Sequence, residues 1–143
     1  MSFINEYKYL IIPIITWFGI QTYKVIYELV KTKKLNFKRI MGAGGMPSSH
    51  SAIVTSLATL IGRHEGIETA SFGVATIVAC VVMYDAAGVR RAAGKQAKLL
   101  NKIVETPGLS GIQVTEKLVE VLGHSPIQVI VGAIIGIIMG FIV

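Results

Sequence analysis

The chain has 143 residues, of which 52% are hydrophobic and only 15% are charged, and its mean hydropathy is +0.64. A chain of this length forms a single domain, residues 1–143, and this composition excludes an ordinary soluble protein and favours a membrane protein. The formal charge of +6 is concentrated in blocks. Because aromatic residues are few and no nucleic-acid-binding module is visible, we expect no nucleic-acid partner.

The first apolar segment, residues 9–30, is long enough to cross a bilayer, which takes about 20 residues. Its second half carries Lys24 and Glu28. These side chains lie four residues apart on one helical face, so they can pair, or Lys24 can extend to the membrane interface.

A basic block, residues 31–39, follows this segment directly. Under the positive-inside rule it predicts a cytoplasmic loop. Its last two residues, Lys38 and Arg39, lead into a glycine-rich loop, and we expect such cations to reach an anion held there.

The glycine-rich loop, residues 42–51, runs through Pro47 into an apolar segment. Proline suits the first turn of a helix, so we predict that a helix begins at Ser48 or Ser49. The free N–H groups and positive dipole end of such a helix form a site for a phosphate-sized anion. His50, in the first turn, can exchange a proton near neutral pH. An ordinary helix N-cap would have the same sequence.

Two further apolar segments, residues 49–62 and 69–87, predict a helical hairpin. A helix over residues 48–62 covers only roughly 22 Å, less than the hydrocarbon thickness of about 30 Å. We therefore expect the glycine-rich loop to lie below the membrane surface in a protein-lined cavity. The second segment ends at Asp85, and an ionisable group at this depth predicts a functional or paired site.

Residues 88–105 predict a basic amphipathic helix lying on the membrane surface. Lysine and arginine recur there with helical spacing opposite an apolar face. Arg90 and Arg91 lie nearest the membrane end, where their guanidinium groups can make bidentate contacts with phosphate oxygens.

The last part of the chain predicts two more helices. Ser110 and Gln113 resemble a capping box that starts an amphipathic helix ending at Gly123. An apolar segment, residues 127–143, follows. Its glycines, four residues apart, predict tight helix packing within the chain or between chains in a homo-oligomer. This glycine stripe consists of Gly132, Gly136 and Gly140.

These segments predict an all-α fold, an integral membrane helical bundle with about four transmembrane helices plus the basic surface helix. If the two central segments form a hairpin, both basic blocks lie on one side, which the positive-inside rule assigns to the cytoplasm. The glycine-rich loop, Asp85, residues 90–91 and His124 then gather at one membrane face.

Several motifs resemble those of a known superfamily. Residues 47–50, Pro-Ser-Ser-His, resemble the Pro-Ser-Gly-His motif of the type 2 phosphatidic acid phosphatases, acid phosphatases and vanadium-dependent haloperoxidases. Residues 123–132 resemble the superfamily's third motif, in which a histidine precedes a glycine-bearing helix. Residues 44–52, 85–91 and 123–126 together look most like its divergent, small membrane branch.

The resemblance implies an α-helical bundle in which the segments here match the last four of six helices. It implies that His124 attacks phosphorus to form a phosphohistidine and that His50 protonates the leaving alkoxide. No metal or other cofactor is implied, because cationic side chains supply the charge. The implied phosphate ligands are Ser48, Ser49 and the backbone of Gly44 and Gly45, with Arg90, Arg91, Lys38 and Arg39 as nearby cations.

Three superfamily positions differ in this chain. The aspartate that orients the nucleophilic histidine is replaced by Gln128, whose amide can fix a tautomer but stabilises an imidazolium less; Asp85 could orient a histidine in its place. The first motif, lysine followed by Arg-Pro, is not reproduced around residues 31–39. The arginine six residues before the nucleophile is Leu118, so an arginine at residues 90–91 would have to substitute.

Three functions fit these residues. A membrane phosphatase that hydrolyses a lipid-linked phosphate or pyrophosphate through His124 uses both histidines and the cations. A catalytically degenerate protein that binds or transports a lipid phosphate would keep only the anion site, as Gln128 and the missing lysine suggest. A structural oligomeric bundle would need only the glycine stripe, and it predicts that His50 and His124 lie far apart.

Overall fold

The structure, a computed structural model, describes residues 6–33, 45–106, 117–120 and 122–142. The regular elements within these ranges are all α-helices, which confirms the predicted all-α fold. The helices are α1 (Lys8–Thr32), α2 (Ser49–His64), α3 (Ala70–Ala87), α4 (Val89–Val104) and α5 (Pro126–Ile142).

Among the residues that the structure describes, two helical stretches are long and apolar enough to cross a membrane. α1 has 25 residues, and α3 continues through Gly88 into α4 to make a stretch of 35 residues. α5 is a shorter apolar helix of 17 residues, and α2 has 16. The number of four transmembrane helices stays a prediction.

The centre of the molecule is a closely packed pair of parallel helices, α2 and α5. The glycine stripe of α5 lies against α2, and successive glycines meet successively later residues of α2, which defines the parallel direction. Small residues let the two backbones approach closely. The contacting pairs are Gly132 with Ser48, Gly136 with Ala52 and Gly140 with Thr59. The glycine stripe therefore packs within the chain, and a homo-oligomer formed through it remains an untested prediction.

We expect Gly136→Ala to destabilise the protein because the added methyl group would collide with the Ala52 carbonyl and the Thr55 hydroxyl. That hydroxyl also links the two helices, with its oxygen 3.1 Å from the Ala133 carbonyl oxygen. Overpacking of this kind costs about 1–3 kcal/mol, against a gain of about 1 kcal/mol from replacing glycine by alanine in a helix. The midpoint of thermal unfolding in detergent measures the net loss.

The matched control for this substitution is Gly73→Ala, also within a helix, where a Cβ meets nothing within 4 Å. It should leave the midpoint unchanged or raise it slightly. Equal midpoints for the two variants would contradict the close α2–α5 packing.

α4 buries its small and polar face, and the segment around residues 117–120 covers part of it. Asn101 Nδ2 donates to the Leu118 carbonyl oxygen at 2.9 Å, and Asn101 Oδ1 accepts from the Leu118 N–H at 3.0 Å. A Cβ on Gly94 would lie 2.6 Å from the Glu120 carbonyl oxygen, so the segment passes close to the α4 backbone. Leucine and lysine side chains of α4 remain exposed, as a surface helix requires.

The predicted amphipathic helix from Ser110 to Gly123 is wrong where the structure describes it. Residues 117–120 are irregular, because the amide of Asn101 satisfies backbone groups of Leu118 that a helix would satisfy internally. Residues 107–116 and residue 121 lie outside the described ranges.

Candidate functional site

The site lies where the start of α2, the end of α3 and the segment before α5 meet. The backbone N–H of Ser48 donates to the Gln128 carbonyl oxygen at 3.0 Å, and the N–H of His124 donates to the Ala86 carbonyl oxygen at 2.9 Å. The first bond joins the two predicted motifs, and the second joins the second motif to the end of α3.

The first motif forms a capped helix start, as predicted. α2 begins at Ser49, and the fully buried Ser48 is its N-cap. The Ser48 hydroxyl oxygen accepts from the backbone N–H of Ser51 at 3.3 Å and from the Ser51 hydroxyl at 3.0 Å. Capping therefore occupies an oxygen that the resemblance assigned to phosphate. Ser49, 3% exposed, lies in the first turn.

The second histidine is buried beside this helix start. His124 is 3% exposed, and its Nδ1 atom has no hydrogen-bond partner among the residues that the structure describes. The preceding Gly123 has a φ of +79° and contacts the Arg91 backbone so closely that a Cβ would collide. Glycine is the residue that fits both requirements.

The structure brings His50 and His124 together. Their ring centroids lie 6.0 Å apart, and the ring planes are inclined by 54°. Because each imidazole can reach about 3 Å to a hydrogen-bonded atom, one phosphoryl group between the rings is within range of both. This proximity contradicts the structural hypothesis, which expected the two histidines to lie far apart.

Gln128, which stands where the superfamily has aspartate, caps α5. Its Oε1 atom accepts from the Ser125 N–H at 3.0 Å, and its own N–H donates to the Ser125 hydroxyl oxygen at 3.4 Å. With Pro126 at the first helical position, this is a capping box. The amide also lies close enough to the His124 imidazole to favour its protonated form. Its predicted role in orienting His124 stays a prediction.

Asp85 and Arg90 form an ion pair at the junction of α3 and α4. Arg90 Nε lies 2.5 Å from Asp85 Oδ2, and both side chains are partly exposed. Arg90 acts electrostatically on both imidazoles, and Asp85 acts on that of His50. Asp85 is thus paired with an arginine. That Asp85 orients a histidine stays a prediction.

Lys24 of α1 is a site residue that the sequence analysis missed. Its side chain is buried, 4% exposed, and its positive charge acts on both His50 and His124. It does not extend to an interface. Its position continues a buried row spaced four residues apart along α1, and that spacing is the signal that could have identified it. The row is Ile12, Thr16, Ile20 and Lys24.

Burial, reinforced by the positive charge of Lys24, lowers the pKa of His124 from 6.5 to about 4. The nearby His50 and Arg90 act in the same direction. The imidazole is therefore neutral at physiological pH, with a lone pair available for attack on an electrophile.

Of the remaining predicted phosphate ligands, some lie outside the described residues and some lie within them. Lys38, Arg39 and Gly44 lie outside the described residues. Gly45 has a φ of +80° and lies in the loop before α2. Arg91 is exposed, and its backbone contacts Gly123.

The fold and this site define a small helical membrane protein with two histidines and at least two cations at one end of its central helix pair. The chain belongs to the divergent PAP2 family, whose sequence model matches residues 5–139. It is similar to the uncharacterized membrane protein YuiD of Bacillus subtilis (strain 168), with 38% identity over 130 residues, covering 83% of this chain and 82% of that relative. No solved structure matches the chain. The resemblance inferred from the motifs is confirmed at the level of the family.

Proposed function

We propose that the protein is a membrane phosphatase that hydrolyses a lipid-linked phosphate or pyrophosphate through a phosphohistidine on His124. The observation that carries the proposal is the 6.0 Å separation of the His50 and His124 rings beside Lys24 and Arg90. Two imidazoles and two cations around one space supply a nucleophile, a proton donor and charge neutralisation.

In the first step, Lys24, Arg90 and the N-terminus of α2 hold the equatorial phosphate oxygens. A lone pair of neutral His124 attacks phosphorus, and the bond from phosphorus to the lipid oxygen breaks. His50, whose protonated form the negative charge of the bound phosphate favours, gives its proton to that leaving oxygen, so the lipid departs as an alcohol or, from a pyrophosphate, as the monophosphate.

In the second step, His50 has become neutral and can act as a base. It takes a proton from a water molecule, whose oxygen attacks the phosphorus of the phosphohistidine. The nitrogen–phosphorus bond breaks, inorganic phosphate is released, and both histidines return to their starting states. The cations stabilise the negative charge in both steps, which accounts for chemistry without a metal.

A screen of phosphate release tests this function. Wild-type protein in phosphatidylcholine nanodiscs should release phosphate from at least one of phosphatidate, phosphatidylglycerol phosphate and an isoprenyl pyrophosphate. Vanadate, which mimics the transferred phosphoryl group, should inhibit the release. No release from any of the three, together with no vanadate binding, would count against the proposal.

A second candidate function is binding or transport of a lipid phosphate without turnover. Two observations favour it: Gln128 caps α5, and His124 Nδ1 has no hydrogen-bond partner among the described residues. An imidazole that no carboxylate orients is a weaker nucleophile than a triad histidine. This candidate predicts binding of phosphorylated lipids without phosphate release from any of them.

We further propose that the site faces the cytoplasm. Lys31 in the last turn of α1, Arg91 and Lys95 lie at or near the same end of the bundle as the site, and the positive-inside rule assigns such an end to the cytoplasm.

Cysteine labelling can test this orientation after replacement of Cys80, the single cysteine of the chain. Met46, 51% exposed, precedes the site, and Ile67, 73% exposed, lies in the opposite loop. In intact cells, an impermeant maleimide should label Ile67→Cys and spare Met46→Cys. The reverse pattern would place the site on the outer face.

A further inference from the structure

A groove lies between α1 and α5, and Lys24 lines it. Its volume is about 630 Å³, within the range of roughly 300–1,000 Å³ typical of small-molecule sites. Along α1 it runs from Gly19 to Lys31, which corresponds to about 18 Å of helix. Val131 and Ile135 of α5 form the facing wall. We call this feature the α1–α5 groove.

The two ends of the α1–α5 groove differ in polarity. One end carries the charged side chains of Lys24, Glu28 and Lys31, and residues 45–47 of the glycine-rich loop border it. The other end, around Gly19 and Ile135, is apolar. Because two of these three charges are positive, a ligand that matches this pattern has a negatively charged head and a hydrocarbon tail.

The polar end of the groove and the histidine site share Lys24. Lys24 lines the groove and also acts electrostatically on both imidazoles. Pro47 lines the groove as well, and it is followed directly by Ser48, the N-cap of α2. A phosphate beside Lys24 can thus contact the histidines while a chain attached to it extends along α1.

We infer that the α1–α5 groove binds the hydrocarbon chain of the same phosphorylated lipid whose headgroup lies at the histidine pair. This inference rests on the proposed function for the position of the headgroup. It adds that the substrate has a long apolar chain, held between α1 and α5, and that the chain contributes to affinity.

Gly19 allows the groove to be obstructed with little disturbance of the fold. It lines the groove, and a Cβ there meets nothing within 4 Å. Gly19→Phe should therefore fill the apolar end without colliding with another helix. Gly73→Phe is the matched control, because Gly73 is also helical, is also open within 4 Å and lies on α3, outside the groove.

The probes are two non-hydrolysable phosphonates, hexadecylphosphonate and butylphosphonate, titrated into protein in phosphatidylcholine nanodiscs. Gly19→Phe should weaken hexadecylphosphonate binding about tenfold or more, because the phenyl ring takes space that chain carbons would occupy and their packing contacts with the groove are lost. Butylphosphonate binding should not change, and Gly73→Phe should match the wild type with both probes. Ile135→Phe obstructs the opposite wall, one turn further from the glycine-rich loop than Val131, and should repeat the result if Gly19→Phe does not fold.

Equal hexadecylphosphonate affinity in the groove variants and the control would overturn the inference, as would equal weakening of both probes. If the groove holds only bulk bilayer lipid, the hexadecylphosphonate affinity will be equal in the groove variants and the control. The binding assay needs no turnover, so it separates two failures. Chain-dependent binding without phosphate release would remove the proposed function and keep the groove. Phosphate release by the wild type, with no change of hexadecylphosphonate binding in the groove variants, would keep the proposed function and remove the groove.

Discussion

Replacing His124 with glutamine should abolish phosphate release, lowering kcat by about a thousandfold or more, as expected when a covalent nucleophile is removed. Glutamine is close to histidine in size and keeps the backbone N–H that donates to Ala86. The cations at Lys24 and Arg90 remain, so vanadate or a lipid phosphonate should still bind. Parallel measurements of phosphate release and phosphonate affinity in nanodiscs test both expectations.

His64 supplies the matched control for this variant. It is the third histidine of the chain, and it is exposed at the far end of α2. His64→Gln should retain wild-type turnover. If His124→Gln keeps a substantial fraction of wild-type kcat, His124 is not the nucleophile.

Replacing Lys24 with methionine should lower kcat/KM by about a hundredfold to a thousandfold, the range found when one group that stabilises transition-state charge is removed. Methionine keeps the apolar stem and removes the charge that acts on both histidines. Lys24→Arg, which keeps the charge, should recover part of the loss. Steady-state kinetics with the best substrate from the screen would measure both variants.

The pH profile separates an electrostatic role of Lys24 from a structural one. Because Lys24 helps lower the pKa of His124 to about 4, its removal should raise that pKa towards 6.5. The nucleophile must be neutral, so the acidic limb of the kcat/KM profile should move to higher pH in Lys24→Met and stay in place in Lys24→Arg. An unmoved limb in Lys24→Met, with wild-type kcat/KM, would remove Lys24 from the site.

The sequence predicts the two helix starts beside the histidines correctly because their signals are local. Pro47 and the serines after it specify the start of a helix, and α2 begins at Ser49 as expected. A second capping sequence, from Ser125 to Gln128, specifies the start of α5 in the same way. Each histidine lies within two residues of a helix start, so their positions follow once the two starts are adjacent.

The sequence does not identify Lys24 as a site residue, because its spacing from Glu28 has a simpler interpretation. Lysine and glutamate four residues apart usually indicate an exposed ion pair, and Glu28 satisfies that spacing. The opposing signal is the spacing of Lys24 from Ile20 and Thr16, which places its side chain on the buried face of α1. Only the packing of α1 against the other helices decides whether Lys24 is exposed or buried.

Two further features depend on contacts between distant parts of the chain. Asn101 holds Leu118, 17 positions away, in an irregular segment, and no local pattern in residues 110–123 shows that partner. The glycine stripe predicts close packing correctly, but the same spacing serves contacts within a chain and between chains. In this structure the glycine stripe packs against α2.

Detection of the covalent intermediate tests the proposed chemistry most directly. Protein mixed with a lipid substrate labelled in its phosphoryl group would be quenched within a turnover into alkali, in which phosphohistidine is stable, and the labelled peptide identified by mass spectrometry. The label should lie on His124 and be absent from His124→Gln. Label on His50, or phosphate release at the wild-type rate by the unlabelled His124→Gln protein, would contradict the proposed mechanism.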